Sequence, residues 1–153
     1  MCQIQLIMSN ELSNNCVDNF LELLEEGSSN NGDATGVFGE RFTWKKPIAY
    51  ESLKEKKVGE LLEGIRQHST NWLVGHNRLA THGSKDNNVN NHPFENSTCV
   101  VVHNGVLYND DQLKAEYGIE YTGTMKGSET DSAIVPALID HFVTEKGLDE
   151  VDA

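Results

Sequence analysis

The chain opens Met1-Cys2-Gln3-Ile4-Gln5-Leu6-Ile7-Met8, and this start constrains what can follow. Apolar residues at every second position, Ile4, Leu6 and Met8, predict a strand that pins the terminus inside a sheet. A residue as small as cysteine behind an initiator methionine allows an aminopeptidase to trim that methionine. Cys2 would then carry both a thiol and a free α-amine. An α-amine has a reference pKa of about 7.7–8.0, so near neutral pH part of it can accept the thiol proton, directly or through one water. Nucleophile and base would share one residue. The competing reading of Cys2 is a small buried hydrophobe.

A chain of 153 residues with 37% hydrophobic residues supports one domain with a core, and no composition break suggests two. There is no apolar run long enough to span a bilayer, and no basic segment leading into a short apolar one at the N-terminus. The expectation is a cytoplasmic protein. Cys2, Cys16 and Cys99 are odd in number and lack C-x-x-C spacing, which favours reduced thiols over disulfides or a zinc knuckle. The net charge of -12 disfavours nucleic acid and anionic membrane as partners. Lys45, Lys46, Lys54, Lys56 and Lys57 break that pattern as a solvated hairpin or loop, or as a local anion-binding patch.

Behind the first strand, Asn14 or Asn15 can cap a helix with Val17, Phe20, Leu21 and Leu24 at helical spacing and Gly27 as its stop. Residues 34–38 then enter a strand, Phe42, Trp44 and Ile48 mark another, and Val58, Leu61, Leu62 and Ile65 mark a second amphipathic helix ending near His68. Trp72, Leu73 and Val74 begin a strand whose end is crowded with polar residues. After an Asn-rich loop over 84–91, the β-branched run 98–102 predicts a buried strand. Asn109 with Gln112, and Ser128 with Asp131, have capping-box spacing, and Gly118 closes the helix between them. Pro136 predicts a kink or a shortened first segment in the last helix, and 145–153 reads as a frayed acidic tail.

Several strings then fall in order: Met1-Cys2, Gly32-Asp33-Ala34-Thr35-Gly36, Val74 through Gly83 (VGHNRLATHG), Asn91-His92-Pro93, Val101-Val102-His103-Asn104-Gly105 and Ser128-Glu129-Thr130-Asp131. Each is weak alone. Together they resemble the signatures of the class II glutamine amidotransferases, N-terminal-nucleophile hydrolases, over nearly the whole chain. The resemblance implies an α+β fold, a four-layer αββα sandwich of antiparallel sheets, with residues 1–153 forming the glutamine amidotransferase domain. It further implies that Cys2 attacks the side-chain amide of L-glutamine with its own α-amine as base, releasing ammonia and leaving a thioester.

On the same resemblance, the Asn104 side chain and the Gly105 N–H form the oxyanion hole, and a glycine there lets the backbone come close to substrate. Out of context, Asn-Gly is equally a type I′ turn. Arg78 would hold the α-carboxylate with its planar fork and Asp131 the α-ammonium, while Thr81 and His82 line the pocket. Taken alone, Arg78 reads as a surface ion pair and Asp131 as a helix-capping acid. Asp33 and Thr35 are expected to hold a turn beside Cys2. His76, His82, His92 and His103 fit no zinc spacing, so neither metal nor cofactor is expected, and His92 and His103 are read as shaping the loops.

Two departures stand out. Leu79 follows Arg78 where the sugar-amidating branch of the family has an aromatic residue. The chain also stops soon after the Asp131 helix, which predicts a compact version, or a fold completed by another chain or a missing segment. Ammonia would then pass to a synthase partner or further domain. The alternatives are a non-catalytic, glutamine-sensing partner subunit and an N-terminal-cysteine acylase acting on another amide.

Overall fold

The structure, a computed structural model, describes residues 2–53, 55–68 and 70–149. The expected loss of Met1, the Lys54 member of the lysine cluster and the end of the acidic tail lie outside the described residues.

Four antiparallel strands form the main sheet in the order β1-β4-β2-β3: β1 is Gln3–Met8, β2 Ala34–Gly39, β3 Phe42–Lys46 and β4 Trp72–Arg78. Helix α1, Asn14–Ser28, packs on β1 and β4, and α2, Glu55–His68, packs on β3 and β2. Ser13, not Asn14 or Asn15, caps α1, its hydroxyl accepting from the Cys16 N–H, and the helix runs one residue past Gly27. Phe20, Leu24, Leu61 and Ile65 from the helices meet Val37 and Leu73 from the sheet in one buried cluster.

Opposed residues in an antiparallel pair share a face. The register sets Ile4 against His76, His76 against Gly36 and Gly36 against Lys45, so these four share one face. The helices cover the other, and this corrects the reading of β1. Ile4, Leu6 and Met8 are 42%, 59% and 71% exposed, while Gln5 is buried. Gln5 Nε2 donates to Asn77 Oδ1 at 2.7 Å and to the Leu23 carbonyl at 3.3 Å, a cross-strand amide pair beneath α1. A paired amide can occupy an interior.

A second layer lies over the Gly36 and Lys45 part of the far face. It contains a two-stranded antiparallel sheet of β5, Phe94–Glu95, and β6, Val100–Val101, with helices α3, Asp110–Tyr117, and α4, Ile134–Lys146. Lys45 fastens the layers, its ammonium donating to the carbonyls of Asn91 at 2.7 Å and Pro93 at 3.0 Å. Burial pushes its pKa down to about 8. Lys46 and Lys57 both pair with Glu60, so Lys45, Lys46 and Lys57 divide between layer contact and helix pairing. Phe94, Ile119, Met125, Ala133, Ile134 and Ala137 form the second buried cluster.

The 98–102 run supplies only a half-buried two-residue strand. Gly118 closes α3 in the left-handed region, as its position predicts. Asp131–Ala133 makes a 3-10 turn ahead of α4, in place of a capping box at Ser128. Pro136 falls in the first turn of α4, where its missing N–H costs nothing, and α4 continues through Glu145 and Lys146 into what reads as tail. The architecture is therefore α+β with antiparallel sheets. Among the described residues the second sheet has two strands.

Candidate active site

The paired ends of β1 and β4 bring the chain start against the residues that follow Arg78. The Leu79 N–H lies 3.4 Å from Cys2 Sγ, and the Leu79 carbonyl lies 3.5 Å from the same sulfur. One residue on, the Ala80 N–H donates to Asp33 Oδ2 at 2.8 Å, and Lys85 closes the loop by pairing with Asp33 Oδ1 at 3.1 Å. Burial alone would raise the Asp33 pKa. The Ala80 N–H outweighs it together with Lys85 and Arg78, and holds the carboxyl below its ordinary range.

Arg78 is 3% exposed. Its Nη1 donates to Asn91 Oδ1 at 2.7 Å, and Nη2 donates to the carbonyls of His82 at 2.5 Å and Gly83 at 3.4 Å. Carbonyl dipoles satisfy it, and none of the ion pairs among the described residues reaches it. Burial lowers its pKa, while Cys2, Asp33 and Asp131, in that order, act against the shift. The guanidinium thus feels both the sulfur and the buried acid.

Asp131 is 4% exposed. Its Oδ2 accepts from the Leu107 N–H at 2.7 Å and its Oδ1 from the Thr130 hydroxyl at 3.2 Å. Each carboxylate oxygen keeps a further lone pair. The Leu107 bond ties the 103–107 segment to Asp131. His76 ties the same segment to β4, Nε2 donating to the His103 carbonyl at 3.1 Å, and His103 Nδ1 lies 3.0 Å from Ser132 Oγ. Asn104 and Gly105 are exposed within this segment, and no hydrogen bond joins them to Cys2. Thr81 and His82 are exposed on the loop after Arg78, His82 serving Arg78 through its carbonyl.

His76 and His92 stack at 4.0 Å between ring centroids, both buried. Burial pushes His76 down to about 4 and His92 further still, so both are neutral imidazoles at ordinary pH. No group of three or more His, Cys, Asp or Glu side chains among the described residues could hold a metal ion. The larger described cleft, about 560 Å³, lies between α1 and α2 on the opposite face of the sheet.

Three residues at the site carry more than their sequence context suggests. Asp33 is a junction for two loops rather than a simple turn residue. Asn90 and Asn91, inside a stretch that reads as an Asn-rich loop, are 0% exposed and fully engaged. Two adjacent asparagines directly ahead of a His-Pro step were the available signal.

A half-buried thiol at the second position, against the backbone beyond a buried arginine on antiparallel sheets, fits the N-terminal-nucleophile class. No family model matches the chain. It is similar to the isomerizing glutamine–fructose-6-phosphate aminotransferases of Streptococcus pyogenes serotype M6, 33% identical, and Lactiplantibacillus plantarum, 32% identical, each across 100% of this chain and 24% of the relative. That of Acinetobacter baylyi is 37% identical over 61% of this chain and 16% of its own length. The chain thus spans about a quarter or less of the curated relatives it matches. It belongs to the class II glutamine amidotransferases of the N-terminal-nucleophile hydrolase superfamily.

Proposed function

We propose that this domain hydrolyses the side-chain amide of L-glutamine and hands the ammonia to an acceptor bound by another domain or chain. The single observation that carries the reading is the placement of Cys2 Sγ 3.4 Å from the Leu79 N–H, one residue past the buried Arg78. A glutamine whose carboxylate meets Arg78 and whose ammonium meets Asp131 directs its amide toward that sulfur.

In the proposed reaction, the α-amine of a trimmed chain start takes the Cys2 thiol proton. The thiolate attacks the carboxamide carbon, and the oxyanion is received by the Asn104 side chain and the Gly105 N–H. Collapse expels ammonia, protonated by the same amine, and leaves a γ-glutamyl thioester. Water then attacks the thioester carbon, giving glutamate and restoring the thiol. Arg78 serves as a fork, and the Leu79 N–H, 3.4 Å from Cys2 Sγ, orients the sulfur. Thr81 and His82 belong to the loop over the carboxylate.

Residues 1–153 are taken as this glutaminase domain, and the fold as a four-layer αββα sandwich. Among the described residues no helix is long and apolar enough to cross a membrane, and Cys2, Cys16 and Cys99 are all free, which suits a reducing cytoplasm. Glutamate release from L-glutamine by wild type and by Cys2→Ala tests the reading. Release by wild type that Cys2→Ala abolishes is expected; equal release by both would overturn it.

A further inference from the structure

Asn90 and Asn91 are consecutive, fully buried, and point their carboxamides at opposite ends of the site. Asn91 Oδ1 accepts from Arg78 Nη1 at 2.7 Å, while its Nδ2 donates to the Lys85 carbonyl at 2.9 Å and to Asn88 Oδ1 at 3.3 Å. Its own carbonyl takes the Lys45 ammonium. Asn90 Nδ2 donates to the Ser84 carbonyl at 3.1 Å and to Glu129 Oε2 at 3.3 Å, and its Oδ1 accepts from the Glu129 N–H at 2.8 Å and the Ser128 hydroxyl at 3.4 Å. The orientation of Asn90 is fixed, because the Ser84 carbonyl can only accept and the Glu129 N–H can only donate. Gly83, at φ +72°, makes room, since a Cβ there would lie 2.8 Å from Asn90 Nδ2.

One side chain therefore fixes the guanidinium, and its neighbour fixes the strand of chain that ends in Asp131 two residues on. We propose that Asn90 and Asn91 are positioning residues that set the placement of Arg78 relative to Asp131 and so confer the preference for the L over the D enantiomer of glutamine. The inference rests on the glutaminase reading. A site that grips carboxylate, ammonium and amide at three fixed points can distinguish mirror images. If the points drift, the carboxylate and ammonium of the D enantiomer can reach their partners with the amide still near the thiol. Among the described residues the Asn90 carboxamide hydrogen-bonds the guanidinium's loop to the 128–131 segment, while Asn91 holds the guanidinium itself.

The experiment measures the KM for L-glutamine and the inhibition constant of D-glutamine in full-length wild type, Asn90→Ala and Asn91→Ala. Loss of hydrogen bonds to a site's fixed groups predicts that the ratio of the D constant to the L constant falls by about tenfold, through a raised KM more than a lowered kcat. A general folding defect lowers the active fraction and leaves both constants, and so the ratio, unchanged. That unchanged ratio, in variants of an active wild type, overturns the proposal alone. A wild type that releases no glutamate overturns the glutaminase reading and the proposal with it. If Asn90→Ala does not fold, Ser128→Ala removes one contact from the far side of the same carboxamide, and a ratio held at the wild-type value there is equally contrary.

Discussion

Cys2 Sγ and the Leu79 backbone N–H are 3.4 Å apart, joined across the paired ends of β1 and β4. The contact links the start of the chain to the residue after Arg78, so anything that shifts β1 against β4 moves the sulfur relative to the guanidinium.

Strand β1 buries its glutamine and exposes its leucine. Gln5→Ala leaves Asn77 Oδ1 and the Leu23 carbonyl without their donor, an expected loss of about 1–3 kcal/mol. Leu6→Ala, at a residue 59% exposed, is expected to cost under about 1 kcal/mol. Urea unfolding of the two variants checks this, and a larger loss at Leu6 would contradict the register.

Gly36 is where the second layer touches the sheet. A Cβ there would collide with the His92 carbonyl and approach Pro93 Cδ to 2.8 Å. Neither neighbour is the end of a flexible side chain, so Gly36→Ala should destabilise by about 1–3 kcal/mol or more. At roughly 2–4 °C per kcal/mol, the drop is readable in a thermal melt. An unchanged melting temperature would mean the layers are not in contact there.

The buried histidines predict acid sensitivity in a particular window. His76 titrates near 4 in the folded state against 6.5 as a free side chain, because burial disfavours its charged form. Between those values the unfolded chain binds the extra proton, so stability is complete above pH 6.5 and falls as pH drops toward 4. Each such histidine contributes a slope of up to about 1.4 kcal/mol per pH unit, and His92 shifts in the same direction. Denaturant midpoints at pH 7, 6 and 5 measure this. A flat profile would contradict neutral burial.

Arg78→Lys keeps a positive charge but loses the planar fork. Charge-assisted hydrogen bonds are worth about 1.5–3 kcal/mol, so the KM for glutamine should rise by roughly 10- to 100-fold with a smaller change in kcat. Steady-state kinetics separates the two. A lysine variant with the wild-type KM would remove Arg78 from carboxylate binding.

Local pattern was enough for much of the frame. Val37 and Leu73 identified central strands, Leu61 and Ile65 a helix face, and Gly118 a helix end, because each depends on neighbours a few residues away. The parity of β1 was not legible. Ile4, Leu6 and Met8 carry the apolar alternation, yet Gln5 takes the buried face because its amide pairs with Asn77, 72 residues away. The same limit applied to the site. Cys2, Arg78 and Asp131 were singled out only through the ordered strings and the family they resemble, whereas Asn90 reads as a loop residue until Glu129, 39 residues on, is known to be its partner.

The central claim is that Cys2, freed at a trimmed chain start, is the group that attacks glutamine. Intact-protein mass spectrometry before and after incubation with a glutamine analogue bearing an electrophilic ketone in place of its amide tests it most directly. The expected result is a starting mass short by one methionine and a single adduct mapping to Cys2, blocked by excess L-glutamine. A retained Met1, or labelling at Cys16 or Cys99 instead, would contradict it.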